Sequence, residues 1–520
     1  MTETKTTAVR DVWVSSDRWP SSKDLAAWAA DIFRLENARG EQEKAVALWK
    51  WLHICLARSS PAWREGDRGA EGYLMDTLKY LTVYGGHFCD GLARVMINAW
   101  QAAGGQARKA VLFRLGHTLA ELRYRDADGQ DRWHLFDPQH CWYVFARDGG
   151  HIASAAEIHD DPQLLLRPVN PPRPHFFSAV SQAKWTDRDF ATGSLVFGDA
   201  PMPEHRMNID LRRGESLRRC WRPGPQYWPM AFGAKPGVHA ATWCDADVLG
   251  GVKDSFLHEY VSPYLCPSPK AAKQATARCR MPGFAELRYD IPLVKGGYVT
   301  GCRRAVGLAS ERKASAAVAA LHPARAGEMG VVVYEVRTPY VIADAEIQGV
   351  VRTGSDPVDV MNIHISADGS SWWQVFGTPF AQKGKLSSRP KRIAARFGQD
   401  AYRAGQFSVV GKYGYFVRVE MIGRKDACSV GVDALALITR CQCNMMALPA
   451  LLPGKNTVTV SASAGGGAAS LQVSYKWKEK QGGTKSLVKR LPAGGGSFTV
   501  RVGGKSPRDV RMEEVSIAAI

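Results

Sequence analysis

A chain of 520 residues is too long for one hydrophobic core, and about three domains is the expectation from length alone. Its 45% hydrophobic and 23% charged content excludes disordered and fibrous classes, and no apolar run approaches the length of a membrane-spanning helix. The net charge of +18 is uneven: residues 1–160 hold 20 Lys/Arg against 21 Asp/Glu, and the remainder hold 48 against 29.

The opening MTETKTTAVRDVWVSSDRW has no apolar stretch behind a charged end. No secretory leader is expected, which leaves a cytoplasmic protein or one trimmed of its leader as open readings of localisation. Residues 21–37 and 40–58 read as two amphipathic helices, with Ser21-Ser22 as the N-cap region of the first. Cys55, within the aromatic ALWKWLHICL run, reads as packing. The loop-rich stretch 59–85 carries Tyr73, Tyr80 and Tyr84, and such a loop commonly walls a substrate site, with Tyr84 the candidate contact.

Cys89 follows in GHFCDGLARVMINAWQAAGG. Leu92, Val95, Met96, Ala99, Trp100 and Ala103 recur at spacings of three and four, the stripe of a one-sided helix that Gly104-Gly105 ends. Cys89 then lies at the first turn, where the helix dipole lowers a thiol pKa. ARKAVLFRL (107–115), HTLAELRY (117–124) and RWHLFDP (132–138) read as three strands, the last two joined by the 126–129 turn. His117 opens one strand and Asp137 closes the next, so antiparallel pairing sets them side by side at the edge facing Cys89. Thiol nucleophile, base and orienting carboxylate are the types that acyl transfer requires. His87, two residues before Cys89, is a second proton-handling group or a pocket wall, Glu121 a structural partner, and the Cys89 N–H a natural oxyanion donor. His134, His140 and Cys141 read as packing or loop residues.

These residues resemble the transglutaminase-like superfamily of cysteine enzymes: Cys89 at a helix start, GGQARKAV stepping into a strand, HTLAE (117–121), and Trp133 ahead of Asp137-Pro138. The sequence departs at Leu119, where that family usually has tryptophan. The resemblance spans about residues 40–160 and implies an α+β fold with a papain-like core, working on amide or ester bonds through an acyl-thioester. Trp133 is carried over as a substrate-binding candidate.

WYVF (142–145) reads as a further strand, and the proline-rich 161–204 as a linker leaving a catalytic core of 1–160. Beyond it strands dominate, among them FAELRYDIPL (284–293), GVVVYEVRTPYVIADAEIQGVV (330–351), SWWQVF (371–376) and GYFVRVEMI (414–422), which favours an antiparallel sandwich over 205–445. SADGSSWW (366–373) with GYFVRVEM resembles discoidin or galactose-binding-like jelly rolls. Trp372 and Trp373 alternate across a strand, so at most one of them faces a ligand, and Trp372 is the candidate. Residues 446–520 form a small third β-domain or the closing strands of the second.

The 11 cysteines are scattered, with Cys441-Gln-Cys443 the one tight pair; no zinc pattern, metal ligand set or cofactor is implied. Basic clusters at 302–313, 385–396 and 476–490 suit an acidic polymer, a glycan or a glycoprotein as partner, and no nucleic-acid module is visible. Two functions follow. The first is a Cys-His-Asp amidase, peptidase or acyltransferase with basic β-domains holding an acidic or glycan-bearing substrate. The second is a glycan-directed protein: a lyase-type enzyme with His117 and Tyr84 as base and acid on an anionic polysaccharide, or a non-catalytic binder.

Overall fold

The computed structural model describes residues 8–58, 74–87, 89–112, 116–139, 142–166, 195–225, 227, 283–311, 313–315, 318–378, 389–465 and 470–520. Strands make up 46% of the described residues and helices 20%, in curled antiparallel sheets. This corrects the expectation of an α+β fold with a papain-like core: the protein is β-rich. The physical reason is the extent of period-two alternation. It runs through most of the described residues after 205 and also through Ala8–Ser16, whereas among the described residues long helices are confined to Leu25–Leu35, Glu41–Cys55 and Cys89–Ala102.

Two large sheets form the sandwich. In the first, Val430–Cys443 lies between Gly283–Asp290 and Val341–Thr353, and the sheet continues through Glu215–Pro223, Val510–Ala519, Leu471–Glu479 and Gly483–Leu491. The second has five strands: Cys302–Val306, Gly330–Arg337, Gly414–Ile422, Val360–Ser366 and Trp373–Gly377. Inward-facing Val332, Tyr334, Val417, Val419 and Ile363 are buried, and Tyr415 Oη reaches Thr439 Oγ1 of the facing sheet at 2.8 Å. The single candidate strand 330–351 is two strands in different sheets, because Pro339 between them has no N–H to continue a ladder. Val510–Ala519 pairs with Glu215–Pro223, so residues 446–520 share a sheet with the region before them.

A four-stranded sheet joins the two ends of the chain, in the order Gly495–Val502, Gly454–Ser463, Ala8–Ser16 and Leu211–Arg212. Ala8–Ser16, read from sequence with residues 1–160, thus belongs to the β assembly. The 161–204 linker also needs correction: Leu195–Gly198 adds a strand beside Gln106–Leu112. The strand expected at 142–145 is reduced to isolated bridges, Asp137 with Trp142 and Phe145 with Ile152.

The segment after Val430–Cys443 docks on the helical part. Asn444 Nδ2 donates to the carbonyls of Cys55 at 2.9 Å and Leu81 at 2.7 Å, and its Oδ1 accepts from Met446 N–H at 3.1 Å. Gly85 beneath it has φ +71°, and a Cβ there would lie 3.0 Å from the Asn444 amide, so both handedness and space ask for glycine. Trp19 Nε1 donates to Met446 O at 2.8 Å, and Ser22 Oγ to Ala447 O at 2.6 Å. Asn444→Ala strands two buried carbonyls, and a loss of about 2–3 kcal/mol of stability is expected, read as a lower denaturant midpoint.

Candidate active site

The helix Cys89–Ala102 buries Leu92, Val95, Met96, Ala99 and Trp100, and packs on a four-stranded sheet ordered Asp131–Phe136, His117–Arg125, Gln106–Leu112, Leu195–Gly198. Its first residue is Cys89, whose half-buried Sγ lies 4.0 Å from the Gly116 carbonyl. The register sets Ala120 opposite Phe136, so the start of the first strand and the end of the second share one sheet edge. There His117 Nε2 meets Asp137 Oδ2 at 2.8 Å. The second carboxylate oxygen of Asp137 accepts the Gln139 N–H at 2.8 Å, and its backbone N–H donates to Trp142 O at 2.8 Å. Asp137 is wholly buried, so its orientation is set by the fold.

His117 also hydrogen-bonds Cys89. With Nε2 held by Asp137, Nδ1 is the ring nitrogen left to face the thiol. Burial pushes the Cys89 thiol up, but the hydrogen bond and charge of His117, with the Thr118 N–H, reverse this and hold it below the ordinary cysteine value. Burial likewise opposes a charged His117. The charge and hydrogen bond of Asp137, joined by Cys89, outweigh it and raise His117 to about 9. Near neutral pH His117 is therefore imidazolium, and the Cys89 thiol beside it is shifted toward its thiolate form. Other cysteines shift the opposite way through burial: Cys220 to about 11, Cys441 to about 12, with Cys428 and Cys443 also raised.

The structure thus brings Cys89, His117 and Asp137 together. It places the proposed substrate contacts elsewhere. His87 is 1% exposed and packs at a tilt of 34° against Tyr80, ring centroids 4.3 Å apart, and Tyr84 is 3% exposed at the end of the single-turn π-helix Tyr80–Tyr84. Both are core residues beneath the helix start, which corrects their reading as substrate contacts. Apolar residues at 81 and 83 turn that segment inward as a helix instead of leaving it as a loop. Trp133 is half-buried and carries the Arg108 guanidinium 4.0 Å over its ring. Trp372 lies in the loop just before the strand Trp373–Gly377, with Arg418 4.4 Å over its ring, and Trp373, 41% exposed, stacks on Phe407 at 3.6 Å. Glu121 is a tether, accepting from Arg108 Nε and Ala155 N–H, both at 2.7 Å. His134 is enclosed by Asp126 at 3.0 Å and Tyr124 at 3.5 Å. Tyr73, His140 and Cys141 lie outside the described residues.

Sequence reasoning missed Gly91. A Cβ there would fall 2.2 Å from His87 Nδ1, so glycine in the first turn is what lets the imidazole seat under Cys89. The CDG triplet was the available signal. Among the described residues no group of three His, Cys, Asp or Glu converges as a metal site, and no helix is long and apolar enough to cross a membrane.

No family model matches the sequence, and no curated protein is similar to it. Among solved structures, a xanthan lyase from Paenibacillus is similar at 11% identity, covering 42% of this chain and 26% of that one, with a TM-score of 0.15. A β-glucuronidase from Ruminococcus gnavus is similar at 11% identity over 36% of this chain and 35% of that one, with a TM-score of 0.13. An FMN-binding β-glucuronidase from Facaelibacterium prausnitzii L2-6 gives 10% identity, 36% and 32% coverage and a TM-score of 0.13. The chain matches about a third or less of each, and likenesses this slight place it in none of those families.

Proposed function

We propose that the chain is a cysteine enzyme cleaving or transferring an amide- or ester-linked acyl group, with chemistry of the transglutaminase-like type. The supporting observation is the hydrogen-bonded run from Cys89 through His117 to Asp137, with its thiol lowered and its imidazole raised. The Cys89 sulfur attacks the carbonyl carbon, and an S–C bond forms. His117 hands its proton to the leaving amine or alcohol as the C–N or C–O bond breaks. Water or a second amine then attacks the thioester, and His117 takes its proton. The thiolate is restored as acid or new amide departs. Asp137 fixes the ring and offsets its charge.

The test is trapping. Incubation with an activated ester such as p-nitrophenyl acetate is expected to acylate Cys89, read by intact mass and peptide mapping. Cys89→Ser and His117→Ala each remove the adduct. Acylation spread evenly over the cysteines counts against the proposal.

A glycan-directed reading is favoured by the β-rich build and by the basic excess beyond residue 160. In that reading His117 handles the proton, the acid partner is a group other than the buried Tyr84, and activity on an acidic polysaccharide survives Cys89→Ser but not His117→Ala.

A further inference from the structure

The five-stranded sheet has an outer face unlike an ordinary solvated one. Strand register sets Arg304, Val333, Arg418, His364 and Gln374 in one row across it. Val331, Glu420 and Asn362 make the next row, and Phe416 begins a third. The 366–372 loop brings Trp372 over the end of these rows, and Trp372, Phe416, Arg303, Arg304, Arg418 and Glu420 line an open groove of about 630 Å³. That volume is within the range of small-ligand sites.

Its polar groups are incompletely used. Arg418 Nε lies 3.0 Å from Glu420 without making a hydrogen bond to it, and His364 Nδ1, at 3.6 Å, is beyond hydrogen-bond distance of the same carboxylate. Arg304 is exposed at the groove edge. A Cβ at Gly377 would sit 1.6 Å from Gln374 Nε2 and 2.7 Å from Asn362 Oδ1, so glycine there keeps the two amides side by side. The groove therefore offers aromatic surface, three guanidinium groups, of which that of Arg303 is engaged by Glu335, and one carboxylate, with the two amides beside it on the same sheet face.

We propose that this face binds a short run of uronate-bearing glycan. Trp372 and Phe416 offer apolar surface to the C–H faces of sugar rings. Arg304 and Arg418 offer the planar donors that pair with a carboxylate. Glu420 meets hydroxyls in the groove, and Asn362 and Gln374 extend the polar surface on the neighbouring strands. Glu420 within the groove disfavours the dense charge of phosphate, and with one face of Trp372 taken by Arg418 a sugar ring meets the other face. The inference is independent of the thiol reading, and either can fail alone.

Tetragalacturonate is the probe and cellotetraose its neutral control, measured by calorimetry on the full chain. Wild type is expected to bind tetragalacturonate at least about tenfold more tightly than cellotetraose, with Trp372→Ala and Arg304→Ala each weakening it by about tenfold. Arg304 is exposed, so its variant folds regardless, and Cys89→Ser is expected to leave the affinity unchanged. Equal affinity for the two probes, no binding of either, or indifference to Arg304→Ala overturns the proposal.

Discussion

Cys89 is expected to alkylate with iodoacetamide at pH 6–7 faster than the other described cysteines by on the order of tenfold or more, since the thiolate is the reactive form. The contrast is built into the fold. Cys220 and Cys441 are pushed up to about 11 and about 12 by burial, whereas His117 reverses that effect at Cys89. His117→Ala removes the reversing group and leaves the burial. The Cys89 rate at pH 7 then falls by about tenfold or more, one pKa unit being tenfold in thiolate. If Cys89 in wild type labels no faster than Cys428, the thiolate–imidazolium pair does not exist.

Asp137→Asn is expected to cost about 10²–10⁴ in turnover of any acyl substrate, as loss of a buried orienting carboxylate does in triads. Asparagine keeps the volume and can still accept the Gln139 N–H, so the loss reports charge and tautomer. A second readout is stability against pH. In wild type, His117 is raised from 6.5 to about 9, so its contribution is complete below 6.5 and fades as pH rises through about 9. Cys89 acts in the opposite sense: its lowered pKa contributes above the unfolded thiol value and is lost as pH falls through the folded one. Asp137→Asn removes the negative charge that does most to raise His117, and the decline of stability near pH 9 should vanish with it. An unchanged denaturant midpoint profile between pH 6 and 10 in the variant would falsify Asp137 as the charge partner.

Local patterns in the sequence located the helix at Cys89 and the strands carrying His117 and Asp137, because each has a clear period and a turn signal beside it. What local pattern cannot carry is partnership. Ala8–Ser16 reads as a strand but does not state that its neighbour is Gly454–Ser463. Gly483–Leu491, at a sheet edge and mostly exposed, touches the core only through Leu487 and Leu491 and so has no clear alternation to read. Leu195–Gly198 is short and sits after a proline-rich stretch that masks it. The tyrosines at 80 and 84 and His87 look like site residues from their type, while their burial follows from Gly85 and Gly91, which admit Asn444 on one side and the His87 ring on the other. For the tryptophan pair, alternation stated that the two face apart, and tertiary contacts with Arg418 and Phe407 decided what each meets.

The four-stranded sheet that ties Ala8–Ser16 to Gly454–Ser463 gives the chain a nested architecture. The polypeptide leaves the β assembly after its first strand, builds the thiol centre, and returns, with Asn444 pinning the excursion from the far side. In effect the Cys89–His117–Asp137 cluster is an insert stitched at both margins into a larger host. Such an insert is expected to lose order together with its host, so that Cys89 reactivity and the β signal fall at the same denaturant concentration.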